Sequence, residues 1–215
     1  MPVPLVIIGG GGFGRETIDV VDAINASGPA PVFDLLGVID DGLNGIGLQR
    51  LCERGYAHLG SLSDWMKTQA NAHYVLAVGD PRTRHRLSLI LAADHRFSAA
   101  TLIHPAAVLG SKTSIGAGTV VCSGVQVSTN VGLGRHVHLN PGSIIGHDAE
   151  LGDFVSINPG AIVSGETFVQ DLCLIGAGSV VLQGLRVETG STVGAGAVVT
   201  RDVSADVVVK GVPAR

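Results

Sequence analysis

Residues 139–163 read LNPGSIIGHDAELGDFVSINPGAIV, and an aliphatic residue returns at every sixth position of this stretch. The same period continues in both directions without an insertion. Its seventeen positions are Ile103, Leu109, Ile115, Val121, Val127, Leu133, Leu139, Ile145, Leu151, Ile157, Val163, Val169, Ile175, Val181, Val187, Val193 and Val199. An α-helix repeats after about 3.6 residues and a strand after about 2, so neither explains a period of six. The pattern therefore indicates a repeat architecture.

The period predicts a β-solenoid in which each hexapeptide forms one short strand and one turn. Three hexapeptides close a triangular coil of about 18 residues, which gives roughly five and a half coils. The aliphatic residue and the mostly small residue two places before it are expected to point inward. A narrow interior explains why aromatic residues make up only 4% of the chain. Seven of the aliphatic residues are followed by glycine, and we interpret these glycines as corner residues with strained backbone conformations.

The first 98 residues have a different organisation, in which strand-like and helix-like segments alternate. At residues 80–81, Asp-Pro supplies a carboxylate N-cap and a proline at the first helical position. Such alternation predicts a parallel sheet with helices on its faces. We therefore predict a Rossmann-like α/β domain over residues 1–98 and a parallel β-helix of hexapeptide repeats over 99–215. The expected strands cover 4–8, 32–39 and 73–78, and the expected helices cover 15–26, 63–70 and 81–93.

Composition excludes several classes of protein. With 46% hydrophobic and 15% charged residues, the 215-residue chain is not intrinsically disordered. A net charge of −4 argues against a nucleic-acid-binding protein. The longest charge-free stretch, 113–134, is rich in Gly, Ser and Thr, so no membrane span is expected. No basic residue precedes Arg15, which makes the N-terminus a poor signal peptide. Three cysteines without a CxxC motif indicate reduced thiols in a cytoplasmic protein.

Several motifs resemble those of one enzyme family. They are GGGGFGRE at 9–16, GVIDD at 37–41, VGDPRTRHRL at 78–87, LIHPAAV at 102–108 and KGVPAR at 210–215. Together with the repeat they are similar to the left-handed β-helix acyltransferases, or hexapeptide transferases. The resemblance is to the nucleotide-sugar N-acetyltransferases of the sialic-acid O-acetyltransferase-like branch. It implies a left-handed coil, a homotrimer, acetyl-CoA as cosubstrate and no metal. The acceptor it implies is a nucleotide-linked 4-amino-4,6-dideoxy sugar, GDP-perosamine before a UDP-linked amino sugar.

Acetyl transfer to an amine requires a base and a donor for the developing oxyanion. His147 follows the inward Ile145 by two residues, so it is expected at a corner, pointing outward. Asp148 comes next and is placed to orient the imidazole. Gly165 lies three hexapeptides after His147, so it is expected one coil along on the same corner, about 4.8 Å away. The resemblance implies a catalytic His-carboxylate pair and a glycine N–H oxyanion donor at these positions, although the family's carboxylate is glutamate.

The resemblance and the glycine-rich start also give candidate binding residues. Glycines between a strand and a helix allow a diphosphate to approach the backbone. The candidates for the sugar nucleotide are Gly12, Phe13, Gly14, Arg15, Asp40, Asp41 and, by resemblance, Asn140. The resemblance implies that Gly165, Ala177 and Ala195 contact the coenzyme A arm and that Lys210 and Pro213 meet its adenine end.

Alternatives remain open at this point. Asn140 and Asn158, three hexapeptides apart, are equally consistent with a structural side-chain ladder. His136 and His138 are expected to face outward, toward substrate or a neighbouring subunit. Asp80, Arg82, Arg84 and Arg86 either line the nucleotide crevice or form a solvated helix face. The alternative functions are O-acetylation of a sialic-acid-type hydroxyl and a non-enzymatic solenoid that acts as a scaffold or binds NAD.

Overall fold

The computed structural model describes residues 1–68 and 71–215. Its N-terminal strands are β1 (Val3–Ile8), β2 (Phe33–Ile39), β3 (Ala72–Leu76) and β4 (Phe97–Ala99), and its helices are α1 (Gly12–Ala26), α2 (Gly45–Cys52), α3 (Leu62–Lys67) and α4 (Pro81–Ala92). The strands form a parallel sheet in the order β2-β1-β3-β4. The helix expected over 63–70 ends at Lys67, and Gln69 and Ala70 lie outside the described residues.

Both faces of this sheet are covered, which explains the unbroken apolar run of β1. Leu5 and Ile7 pack into one buried cluster, and Val6 and Ile8 pack into another. At the start of α4 the expected cap is present, because Asp80 Oδ1 accepts a 2.7 Å hydrogen bond from Thr83 N.

The rest of the described chain forms very short parallel strands. They are β5 (Leu102–Ile103), β6 (Val108–Leu109), β7 (Ser114–Ile115), β8 (Val120–Val121), β9 (Gln126–Val127), β10 (Gly132–Leu133), β11 (His138–Leu139), β12 (Ile144–Ile145), β13 (Glu150–Leu151), β14 (Ser156–Ile157), β15 (Ile162–Val163), β16 (Phe168–Val169), β17 (Leu174–Ile175), β18 (Val180–Val181), β19 (Arg186–Val187), β20 (Thr192–Val193), β21 (Val198–Val199) and β22 (Val208–Val209).

These strands stack into the three sheets of a left-handed β-helix, so the predicted fold class is confirmed. The first face runs from β5 through β8, β11, β14, β17 and β20 to β22. The second face runs from β6 to β21 and the third from β7 to β19, again at every third strand. Leu139 pairs with Ile157 on the next coil, and both side chains are fully buried. We call the turns between the first and second faces the Asn140 edge, and those between the second and third faces the His147 edge.

The glycines after the aliphatic residues have a different role from the one expected. The left-handed backbone lies two residues later, at positions such as Gly142 (φ 69°), Asp148 (φ 58°) and Gly160 (φ 66°). Gly146, directly after Ile145, is required because a Cβ there would lie 2.3 Å from the backbone N of Gly165. The constraint on these glycines is therefore the close approach of the next coil.

A buried arginine joins the N-terminal unit to the first face of the solenoid. Arg84 on α4 is fully buried, so the interpretation of it as crevice-lining or solvated is wrong. Its guanidinium donates to Val78 O at 2.8 Å in its own unit. It also donates to His136 O at 3.0 Å and to Phe154 O at 2.6 Å in the solenoid. Carbonyl oxygens from both units thus hold one cation between them.

Two histidines of the solenoid complete this joint. His138 Nε2 donates to Leu76 O at 2.8 Å, and His136 stacks on Phe154 with ring centroids 5.1 Å apart. His136 Nδ1 is buried and has no hydrogen-bond partner among the described residues. Both side chains point outward from the solenoid, as predicted, but the N-terminal unit covers them. The expectation that they reach substrate or a neighbouring subunit is therefore wrong.

The joint is expected to make stability depend on pH. Burial, with repulsion from Arg84 and Arg135, lowers the pKa of His136 from 6.5 to about 4, and burial lowers the pKa of His138. As the pH falls, the unfolded chain therefore binds these protons at a higher pH than the folded chain does. The two neutral histidines thus make their full contribution to the free energy of unfolding above pH 6.5, and this contribution is lost as the pH drops toward 4. Urea titrations are expected to show a loss of about 2 kcal/mol between pH 7.5 and pH 5 from His136 alone, and the protonation of His138 adds to this loss.

The His136→Phe variant, which keeps the stacking, is expected to reduce this pH dependence. His95→Phe, a change at an exposed histidine, is the matched control. An equal loss of stability in wild type and His136→Phe would contradict the assignment.

Candidate active site

His147 and Asp148 form a hydrogen-bonded pair on the His147 edge. Nδ1 of His147 lies 2.7 Å from Oδ2 of Asp148, and each side chain is nearly half exposed. The Asp148 pKa is lowered by hydrogen bonds from Asn130 and His147, so the carboxylate acts as an acceptor. Nδ1 must then carry the proton, which leaves the lone pair of Nε2 free. The pair can act as an oriented base.

The imidazole lies directly over Gly165. A Cβ at this glycine would be 2.6 Å from His147 Nε2, so any other residue would take the space of the ring. The Gly165 N–H has no hydrogen-bond acceptor among the described residues. A free base and a free backbone donor therefore occur on adjacent coils, as their spacing in the sequence predicts.

Equivalent backbone groups elsewhere in the solenoid bind carboxylate oxygens. The turns between the third and first faces place Arg135 and Asp153 at the position that Gly165 holds in its own turn. Arg135 N donates to Asp153 Oδ1 at 2.7 Å, and Asp153 N donates to Asp171 Oδ1 at 2.8 Å. This turn position thus presents an N–H that can stabilise a negatively charged oxygen.

Gly165→Ala is expected to reduce turnover while leaving the fold intact. The added methyl group would displace the imidazole, a flexible side chain, rather than the backbone. A misplacement of this size at a catalytic group lowers kcat on the order of 10²-fold. Steady-state kinetics and thermal unfolding would be compared with Gly28→Ala, where the nearest atom would be 3.8 Å away. Unchanged kcat in Gly165→Ala would contradict the placement of the ring.

A shallow cavity of about 330 Å³ adjoins the imidazole on the second face. Gln126, Ser128, Ile144, Gly146 and His147 line it. Gln126 and Ile144 were not among the residues predicted for the site. The hexapeptide register could have identified both residues, because each is the outward residue of a strand next to the His147 edge.

The proposed coenzyme residues lie along the Asn140 edge. Ala177 and Ala195 occupy equivalent turns there, on adjacent coils. Lys210 follows β22 and stands over Gly194, with its Cβ 3.1 Å from the position a Cβ of that glycine would take. Pro213 lies in the final turn, where Lys210 N and Arg215 O are 3.1 Å apart. The edge could thus accommodate one elongated ligand.

Asn140 belongs to the same edge and is mostly buried. Its Nδ2 donates to Ile157 O at 3.0 Å and to Asn158 Oδ1 at 3.2 Å. These bonds form the side-chain ladder that was left open as an alternative. Within one chain, Asn140 and His147 lie on different edges, so the protomer does not bring them together.

The N-terminal unit has a crevice at the carboxyl ends of β1, β2 and β3. Its volume is about 210 Å³, and Gly9, Asp40, Asp41 and Arg86 are among its lining residues. Asp40 accepts from Gly10 N at 2.7 Å, and Asp41 accepts from Leu62 N at 2.8 Å. Both carboxylates therefore shape the crevice through backbone bonds and keep lone pairs for a ligand.

The glycine-rich turn opens beside this crevice. Gly12 is exposed, and a Cβ there would meet no atom within 4 Å, so a diphosphate has access to the start of α1. Gly14 is required for packing, since its Cβ would lie 1.9 Å from Gly9 O. Arg15 donates to Gly10 O at 3.2 Å. Phe13 instead stacks on His138, with centroids 4.5 Å apart, and so belongs partly to the joint between the units.

None of the helices in 1–68 and 71–215 is long and apolar enough to cross a membrane. The same ranges hold no cluster of three or more His, Cys, Asp or Glu side chains arranged for a metal ion. Burial raises the pKa of Cys122 to about 12 and that of Cys173 to about 11, so neither thiol is an activated nucleophile.

The chain is similar to several known proteins. Residues 4–90 match the model of the PglD N-terminal domain. The curated GDP-perosamine N-acetyltransferase of Escherichia coli O157:H7 is 32% identical over 141 residues, which are 66% of this chain and 61% of that protein's length. The structure of WeeI from Acinetobacter baumannii AYE is 31% identical, with 98% of each chain covered and a TM-score of 0.84.

A further structure is a histidine-to-asparagine mutant of perosamine N-acetyltransferase from Caulobacter crescentus, in complex with CoA and GDP-perosamine. It is 28% identical, with 99% of this chain and 95% of that chain covered and a TM-score of 0.87. The chain belongs to the left-handed β-helix nucleotide-sugar N-acetyltransferases. The Caulobacter member of this family binds two large ligands together. In the present chain the candidate binding residues form two separate sets, one in the N-terminal crevice and one along the Asn140 edge.

Proposed function

We propose that this family member transfers the acetyl group of acetyl-CoA to the 4-amino group of a nucleotide-linked 4-amino-4,6-dideoxy sugar, with GDP-perosamine as the favoured acceptor. The observation that carries the proposal is the imidazole of His147, oriented by Asp148 and lying over Gly165. The relatives named for N-acetylation of GDP-perosamine support the choice of acceptor. In this proposal residues 1–98 bind the sugar nucleotide and residues 99–215 carry the chemistry.

The reaction is a direct, single displacement. The amine attacks the acetyl carbonyl carbon, a C–N bond forms, and Nε2 of His147 accepts the amine proton. The Gly165 N–H donates to the carbonyl oxygen as it becomes negative. The C–S bond then breaks, and the leaving thiolate takes a proton from His147. No covalent intermediate on the protein is required.

Binding is divided between the two units. Gly12, Gly14 and Arg15 present backbone and guanidinium groups to the diphosphate, and Asp40 and Asp41 accept from the nucleoside. Along the Asn140 edge, Ala177 and Ala195 offer backbone groups to the pantetheine arm. Lys210 and Pro213 meet the adenine end of the coenzyme and its phosphate.

We also propose that the protein is a cytoplasmic homotrimer. In one protomer His147 lies on one edge, while Asn140 and the coenzyme residues lie on another. A second copy that brings its Asn140 edge beside the first copy's His147 edge would complete the site. The second face between these edges is apolar and exposed, for example at Val108 (55%) and Ile144 (41%), and could be buried in such an assembly.

The decisive test is mass spectrometry of products from acetyl-CoA and a panel of GDP- and UDP-linked 4-amino sugars. We expect a mass gain of one acetyl group on a 4-amino acceptor and none on its 4-hydroxy counterpart. Acetylation of free sialic acid alone would favour the O-acetyltransferase alternative. Thermal stabilisation by NAD but not by acetyl-CoA, GDP or UDP would favour the non-enzymatic alternative.

A further inference from the structure

Asn130 contacts the catalytic pair from one coil away. It occupies the position equivalent to Asp148 on the preceding coil of the His147 edge, and both have left-handed backbones (φ 60° and 58°). Asn130 Nδ2 donates to Asp148 Oδ1 at 2.6 Å, while the other oxygen, Oδ2, bonds His147. Each carboxylate oxygen thus has its own partner, on opposite sides of Asp148.

This second bond limits how Asp148 can turn. Its side chain and that of His147 are both nearly half exposed, so water competes for the carboxylate. A carboxylate held by His147 alone could rotate about its side-chain torsions and release the ring. The Asn130 amide fixes Oδ1, and the rigid carboxylate plane then fixes the direction of Oδ2. It is also the largest cause of the lowered Asp148 pKa, which keeps the carboxylate charged.

We propose that Asn130 is a positioning residue for acetyl transfer, which holds Asp148 in the orientation that keeps the His147 Nδ1 protonated and Nε2 over Gly165. The inference rests on the proposed function, because it assigns Asn130 a role in that reaction. Asparagine suits the position, since it tolerates a left-handed backbone and supplies a donor.

Kinetics of Asn130→Gly test the proposal. Glycine keeps the left-handed backbone and removes only the amide. Because a hydrogen bond to a charged group is lost, kcat is expected to fall about 5- to 10-fold with an unchanged KM for acetyl-CoA. The matched control is Lys112→Gly, one coil earlier on the same edge (φ 57°), where the exposed side chain forms no hydrogen bond within the described residues. It is expected to retain full activity.

A double-mutant cycle separates positioning from a merely structural effect. In an Asp148→Gly background, Asn130→Gly is expected to change kcat by less than about twofold, because its only route to His147 is gone. The same 5- to 10-fold loss in both backgrounds would overturn the proposal, as would wild-type kcat in Asn130→Gly.

A spectroscopic readout makes the result independent of turnover. Imidazole ¹⁵N chemical shifts of His147 are expected to show Nδ1–H in the wild-type protein and a mixture of tautomers in Asn130→Gly. Identical shifts in the two proteins would reject the positioning role even if no acceptor were acetylated. If the shifts change but no transfer occurs, the proposed function fails, while the orientation of the His147 ring by Asn130 through Asp148 stands.

Discussion

Replacing His147 by asparagine is expected to lower kcat on the order of 10³-fold, with a KM for acetyl-CoA that changes by no more than about threefold. Asparagine keeps a polar side chain at the edge but offers no basic nitrogen. The proposed coenzyme residues lie on the Asn140 edge, so we expect the loss to be confined to the proton transfer. Steady-state kinetics with the preferred acceptor measure both constants.

The control for this variant is His95→Asn, a change at an exposed histidine of the N-terminal unit. Circular dichroism and thermal unfolding establish that both variants are folded. Near wild-type kcat in a folded His147→Asn protein would remove the base from the mechanism. The Gly165 contact would then need another explanation.

Arg84→Met is expected to lower the free energy of unfolding by about 3–5 kcal/mol, because each buried acceptor that loses its donor costs about 1–3 kcal/mol. Methionine approximates the length of the side chain, but its thioether cannot donate to the carbonyls of Val78, His136 and Phe154. These buried acceptors would be left without their donor. Urea unfolding at pH 7.5 measures the change.

The matched control is Arg82→Met on the same helix. Arg82 also reaches the solenoid, through Asp206, but both side chains of this ion pair are more than 60% exposed. Exposed pairs contribute about 0–1 kcal/mol, so a small effect is expected. Similar losses from the two substitutions would show that burial of Arg84 does not set the strength of the joint.

The sequence predicted features that depend on spacing along the chain. The recurrence of an aliphatic residue at every sixth position predicted the solenoid, because inward side chains must repeat once per strand. The distance from His147 to Gly165 predicted their stacking, since one coil consists of three hexapeptides. Asp80 and Pro81 predicted the start of α4 from local capping chemistry.

Features that depend on how the units pack could not be read in this way. His136 and His138 follow the outward pattern of the repeat, and only the docking of the N-terminal unit buries them. Arg84 has two other arginines near it in a polar helix, and nothing local marks it as the buried one. The role of Gly146 was misjudged because its constraint comes from Gly165 on the next coil.

The triangular cross-section restricts how this half of the chain can change its length. A deletion of one hexapeptide after Ile157 would move every later side chain to the neighbouring corner of the prism, about a third of a turn around its axis. A deletion of three hexapeptides would keep every later side chain at its own corner and shorten the prism by one strand spacing, about 4.8 Å. Natural insertions and engineered truncations are therefore expected to come in whole coils.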